Sequence, residues 1–216
     1  AIDIEGYNKV DPTNQTIKLD VEGNVINFYY TKRTDLSYTV KYLEKDTNAV
    51  LKEEKVVTGQ TYLQEITEYA IDVEGYVAVD PTSQTIIVKV EGNVINFYYT
   101  KRTDLSYTVK YLEEGTDKVL AESKTINGQT YLAEIKENAI DVEGYTKVNP
   151  TATIIIKVNN NEIIFYYKKI EGLSYKVKYL EKDTNAEVAP SKTIDGKVFE
   201  DVVTETAIDI DGYNKE

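Results

Sequence analysis

The stretch VEGNVINFYYTKRTDLSYTVKYLE, Val21 to Glu44, recurs letter for letter from Val90 to Glu113, 69 positions later. A diverged third copy, VNNNEIIFYYKKIEGLSYKVKYLE, runs from Val158 to Glu181 after a step of 68. Self-similarity at a fixed period marks a tandem array of one structural unit. A unit of about 69 residues buries only a modest core, so contacts with its neighbours matter to its stability. The most faithful part of the repeat straddles the joint between units.

Outward from that joint, Leu36 to Leu43 (LSYTVKYL) alternates with period two. Tyr38, Val40 and Tyr42 share one face, Thr39 and Lys41 the other, as in a half-buried strand. Lys45 to Asn48 reads as a turn, because Asp and Asn bond their own backbone in tight turns. Val50 to Val57 then reads as the returning strand, ended near Gly59.

The period changes next. Tyr62, Ile66, Ala70 and Val73 are spaced by 4, 4 and 3, which predicts one face of a short helix stopped at Gly75. Tyr131, Ile135, Ala139 and Val142 repeat the pattern, as do Phe199, Val203, Ala207 and Ile210. Tyr, Tyr and Phe at one position imply a packing ring whose hydroxyl is dispensable. Leu63, Leu132 and Glu200 at the following position imply a side chain facing water.

Val77 to Val79 is a short strand and Asp80 to Thr82 a turn. Thr85 to Val90 and Val94 to Thr100 are strong strands, expected to form a hairpin around Glu91 to Asn93. Gly92 corresponds to Asn160, and both residue types tolerate positive φ. The one-residue deletion in the second step falls between Asn149 and Thr153, a loop, where a strand would have had its faces inverted.

The element order is ββαβββ. The expected fold class is α+β: tandem small β-grasp (ubiquitin-like) repeats arranged as an elongated rod. The expected boundaries are 1–35 as the second half of a repeat, 36–104 and 105–172 as complete repeats, and 173–216 as a first half. An alternative frame opens each unit at Ala1, Ala70 and Ala139. The connector Thr100 to Asp104 holds no Gly or Pro and is too short for free swivelling. The two halves leave open strand edges, so end-to-end pairing between molecules is expected.

The net charge of −12, with both signs interspersed, disfavours a nucleic-acid groove or a polybasic membrane patch. The chain has no Cys, His, Met or Trp. That removes thiol catalysis, His-based triads, His or Cys zinc sites and disulfides.

The unit resembles the MucBP (mucin-binding protein) repeat of Gram-positive bacterial surface proteins. The marks are YTVKYLEKDTNAVL (Tyr38 to Leu51), GQTY (Gly59 to Tyr62), EGY (Glu74 to Tyr76) and VINFYY (Val94 to Tyr99). They recur as YTVKYLEEGTDKVL, NGQTY, EGY and EIIFYY and cover nearly the whole chain. The resemblance implies a β-grasp-like fold and a multi-repeat, extracellular, wall-anchored adhesin with its anchor outside this chain. It also implies host mucin or another glycoprotein as partner.

No enzyme is expected. Carboxylate pairs such as Glu53-Glu54, Glu113-Glu114 and Asp72 with Glu74 show no sign of converging on one bond in an apolar pocket, as a glycosidase requires. No metal and no cofactor is expected either. Asp46, Asn48, Asp117, Asp183 and Asn185 carry oxygen ligands, but turn chemistry explains them. Tyrosine is abundant at 19 residues. With Ile95, Phe97 and Tyr99 inward, Tyr98 points outward, as do Tyr29 and Tyr166. These three are the candidate glycan-stacking residues, and cross-strand pairing is their other reading. Two functions stand: weak, multivalent binding of mucin-type glycans or glycoproteins, and a semi-rigid stalk that projects another domain from the cell wall.

Overall fold

A computed structural model describes residues 1–215. They fall into two compact units, 1–103 and 104–215. In the first, β1 (Tyr7–Lys9) and β2 (Tyr30–Lys32) belong to the leading half-copy. The complete copy follows as β3 (Leu36–Glu44), β4 (Val50–Gln60), β5 (Glu65–Tyr69), β6 (Tyr76–Ala78), β7 (Ser83–Ile87) and β8 (Val94–Lys101). The second unit repeats that set as β9 (Leu105–Glu113), β10 (Val119–Gln129), β11 (Glu134–Asn138), β12 (Tyr145–Lys147), β13 (Thr151–Ile155) and β14 (Glu162–Lys169). It ends with β15 (Leu173–Leu180) and β16 (Glu187–Lys197).

Each complete copy is a four-stranded sheet and a two-stranded one. The sheet orders are β4-β3-β8-β6 and β10-β9-β14-β12, with the first and last long strands parallel. β5 pairs antiparallel with β7, and β11 with β13.

The fold is all-β among the described residues, which overturns the α+β β-grasp expectation. The segment read as a helix holds strand β5 and its flanking turns. The spacing misled because it strings together residues with different destinations. Ile66, Ala70 and Val73 pack on the core, whereas the Tyr62 ring lies against Gly6 and Tyr7 of the preceding half-copy. Within β5 the true period is two: Ile66 is half-buried between exposed Glu65 and Thr67, and the Thr67 and Thr85 hydroxyls bond across the pair at 2.8 Å.

The closing hairpin is also corrected. β7 and β8 flank the predicted turn but pair with β5 and with β3 and β6 respectively. Gly92 and Asn160 do take positive φ there, 75° and 61°. The neighbouring asparagine redirects the chain. Asn93 Oδ1 accepts from the Lys89 N–H at 2.8 Å, and its Nδ2 donates to the carbonyls of Lys89 (2.8 Å) and Ser37 (3.0 Å). Asn161 makes the same three bonds to Lys157 and Ser106. A buried amide pins the loop to the opening strand.

The inward faces are as the alternation implies. Tyr38, Val40, Tyr42, Ile95, Phe97 and Tyr99 form one core. Leu105, Tyr107, Val109, Tyr111, Ile163, Phe165 and Tyr167 head the other. Buried tyrosine hydroxyls need partners. Tyr99 Oη donates to the Ile71 carbonyl at 2.9 Å, and Tyr167 Oη to that of Ile140 at 2.9 Å.

At one edge of each core stands a repeated Tyr–Glu–Lys set. Tyr38 Oη and Lys55 Nζ donate to Glu68, at 2.5 and 2.6 Å. Tyr107 and Lys124 do the same to Glu137, at 2.6 and 2.8 Å. Burial first, and the adjacent carboxylate second, push Tyr38 and Tyr107 up to about 12. Burial raises Glu68, but the bonds from Lys55 and Tyr38 outweigh it and hold the group below its ordinary value. In Glu137 the Lys124 bond leads, and the result is again a lowered value.

A raised tyrosine contributes stability that is complete below the unfolded value near 10 and lost as pH rises through about 12. A lowered glutamate contributes stability present above its unfolded value near 4.3 and lost as pH falls through its folded value. The urea midpoint is therefore expected to decline on both sides, with the alkaline decline between pH ~10 and ~12. Replacing Tyr38 and Tyr107 by Phe should flatten that alkaline limb. An unchanged limb would show that these two tyrosines do not set it.

The first and last copies of the repeat differ from the two between them. Tyr29 is 68% exposed and Val25 65%, and residues 25–29 form no strand, although the same letters belong to β8 in the next copy. β15 pairs with β16 alone, and Leu173 is 38% exposed where its counterpart Leu36 is 3%.

Candidate functional site

Two features of the fold stand out as devices. The first is the joint between adjacent copies, present once in each unit. In the first unit the Arg33 N–H donates to the Gly6 carbonyl and the Tyr62 N–H to the Arg33 carbonyl, both at 2.9 Å. The Tyr62 ring meets Tyr7 edge-on, centroids 5.5 Å apart and planes at 76°. Gly6, at φ 77°, lies against the same ring, leaving no room for a Cβ.

The second unit builds the joint again from different letters. The Ile170 N–H donates to the Gly144 carbonyl and the Phe199 N–H to the Ile170 carbonyl, both at 2.9 Å. Phe199 meets Tyr145 edge-on at 5.6 Å and 70°, and it fills the space over Gly144. Here Glu200 adds ion pairs to Lys118 and Lys169, each at 3.1 Å. Leu63, the counterpart of Glu200, is 47% exposed, as is Leu132. All three take positive φ (61°, 63° and 66°), a conformation that costs a non-glycine residue on the order of 1 kcal/mol. Sequence reading found the packing ring and the outward neighbour, and missed that the ring packs on the previous copy's glycine. The recurring EGY motif was the available signal.

The second feature surrounds Tyr98. The side chain stands on the outer face of β8, 37% exposed, with Asn96 half-buried on the same face. Beside it lies a cavity of about 370 Å³, floored by Val79 and Pro81 and edged by Lys45, Asp46, Asp80 and Gln84. Gln84 Nε2 donates to the Asn96 carbonyl at 2.6 Å, which fixes the amide across the floor.

Tyr29 and Tyr166 also face outward, Tyr29 mostly exposed and Tyr166 half-buried in β14. Each of the three candidates sits in its own copy, and no described ring pair joins two of them. Around Tyr29 the first copy keeps Asp11, Gln15 and Asn27, with Gln15 again donating to the Asn27 carbonyl at 2.8 Å. Around Tyr166 the counterparts of Gln84 and Asn96 are Ala152 and Ile164, and those of Lys45 and Asp46 are Glu114 and Gly115. The aromatic is retained there and the polar rim is not. Among the described residues no three acidic side chains gather as metal ligands.

No family model matches the chain. Internalin J of Listeria monocytogenes serotype 4b (strain F2365) is 31% identical over 185 residues, which are 81% of this chain and 19% of that protein. The chain thus spans about a fifth of the length of this curated relative. Among solved structures, the type 2 repeat of the mucus binding protein MUB from Lactobacillus reuteri covers 62% of this chain and 100% of its own, at 12% identity and a TM-score of 0.24. The SHIRT (Streptococcal High Identity Repeats in Tandem) domains 3–4 of a cell surface protein cover 62% and 98%, at 10% identity and 0.23. The Bacillus anthracis TIE protein covers 79% and 47%, at 12% identity and 0.36. At such scores the fold rests on the strand pairing described above and not on these likenesses.

Proposed function

We propose that the chain is a repeat region of an extracellular, wall-anchored bacterial surface protein, working first as a semi-rigid spacer that projects another domain. The observation that carries this reading is the joint built twice with one geometry, Tyr62 on Gly6 and Phe199 on Gly144. A linker meant to swivel would use a few flexible, unpaired residues. Here the connecting residues are hydrogen-bonded and a ring from one copy packs on the glycine of the copy before it.

The test uses the absence of native cysteine. Spin labels at Glu122→Cys and Asp183→Cys, both exposed, report the distance across the second joint. One narrow distance peak is expected. A distribution spread over many ångströms would overturn the spacer.

A second reading is favoured by the outward tyrosines and the Tyr98 cavity. The repeats also hold host mucin or another glycoprotein, weakly at each copy and more firmly through repetition.

A further inference from the structure

We infer that the cavity beside Tyr98 is a binding site for one neutral sugar residue, a hexose or N-acetylhexosamine, and that the equivalent place beside Tyr166 is not. The inference rests on the glycan-contact reading and narrows it to one copy of the two complete ones. The cavity volume of about 370 Å³ lies in the range of small-ligand sites. Its floor is apolar, from Val79, Pro81 and the exposed ring of Tyr98, matching the C–H face of a pyranose. Its edge is polar in both senses. The Asp46 and Asp80 carboxylates accept from hydroxyls; Lys45 and the Gln84 amide donate.

The charge balance sets the ligand class. Two carboxylates face one ammonium, so an acidic sugar meets net repulsion and a neutral one does not. Gln84 is held in place before any ligand arrives, since its Nε2 already donates to the Asn96 carbonyl. Such preorganisation lowers the ordering cost of binding. The repeat supplies its own control. In the second complete copy the aromatic survives as Tyr166, but Ala152, Ile164 and Gly115 remove three polar side chains and Glu114 reverses the charge of Lys45. A packing role for the tyrosine needs only the ring, and that is kept in both. A site needs the rim, and that is kept beside Tyr98 alone of these two.

The test titrates the isotope-labelled 216-residue chain with the methyl glycosides of galactose and N-acetylgalactosamine, and with N-acetylneuraminic acid as the charged probe. Saturable amide shifts at Asp80, Gln84, Asn96 and Tyr98 are expected, with a dissociation constant on the order of 1 mM. The acidic sugar should bind at least tenfold more weakly. The variant Gln84→Ala/Asn96→Ile installs the second copy's own residues, which that copy accommodates in β13 and β14, and it should lose at least tenfold in affinity.

Equal shifts around Tyr166, or shifts that survive in the variant, would overturn the site. Retention on immobilised mucin separates the two levels of the claim. Wild-type retention that the variant keeps overturns this cavity and leaves the glycan reading standing. Saturable sugar shifts with no mucin retention uphold the cavity and remove mucin as its target. Neither shifts nor retention removes both.

Discussion

Phe97→Ala is expected to cost about 3–5 kcal/mol and to unfold the first complete copy under conditions where the second stays folded. Phe97 is 1% exposed in the middle of β8, and its ring stacks on Tyr42 at 6.4 Å between centroids with planes 14° apart. Removing it opens a cavity between the two strands whose parallel pairing closes the sheet. A small domain has about 5–15 kcal/mol in total, and one this size sits toward the low end. The loss therefore takes most of what there is. The two cores share no residue, so the damage should be local.

Amide exchange reads this directly. Protection in β3, β8 and β6 should collapse while β9 and β14 keep theirs. Phe97→Leu, which leaves a smaller cavity, should cost clearly less than the alanine and leave both copies protected. Equal loss of protection in both copies would show one cooperative unit instead of two.

The strands of that core were legible in the letters. Period-two alternation at Leu36–Glu44 and at Val94–Lys101 reports a half-buried surface whatever the strand pairs with, so it survives ignorance of topology. Partnership is another matter. β7 and β8 are adjacent in sequence with a good turn between them, yet Asn93 ties that turn to the opening strand, its amide bonding to Ser37, 56 positions earlier. Three equivalent asparagines, Asn24, Asn93 and Asn161, marked the place, but Asn beside Gly reads locally as turn chemistry. Nothing local distinguishes an amide that closes a turn from one that pins a loop to a distant strand.

The helix failed for a related reason. A period of 3.6 assumes that apolar residues on one face meet one partner. Here Tyr62 meets the previous copy and Ile66 its own core, so the spacing is a sum of two contacts. At the candidate site the outward position of Tyr98 was legible from alternation. Its cavity was not, because Lys45 and Asp46 reach it from the first turn, about fifty residues earlier in the chain. The comparison between copies, available in the letters all along, gains its meaning only once those residues are seen to share a cavity.

Gly144→Ala is expected to break the second joint without unfolding the copies it connects. Gly144 stands at φ 79°, where a Cβ costs roughly 1–2 kcal/mol. That Cβ would also overlap the Phe199 ring, which is packed edge-on to Tyr145 and has its own N–H committed to Ile170. The ring must swing out, forfeiting an aromatic pair worth about 0.5–1.5 kcal/mol beyond its buried area. Together these cost about 1.5–3.5 kcal/mol at the joint. Glu200 offers little to resist, since its ion pairs to Lys118 and Lys169 stand in solvent and are screened by it. The spin-label distance across the joint should broaden from one narrow peak to a wide distribution, while amide protection in β9 and β14 is unchanged. Phe199→Ala should broaden it as well, and Phe199→Tyr, which restores the ring used at Tyr62, should not. If Gly144→Ala left the distribution narrow, the joint would owe its rigidity to the backbone bonds through Ile170 and not to the ring seated on glycine.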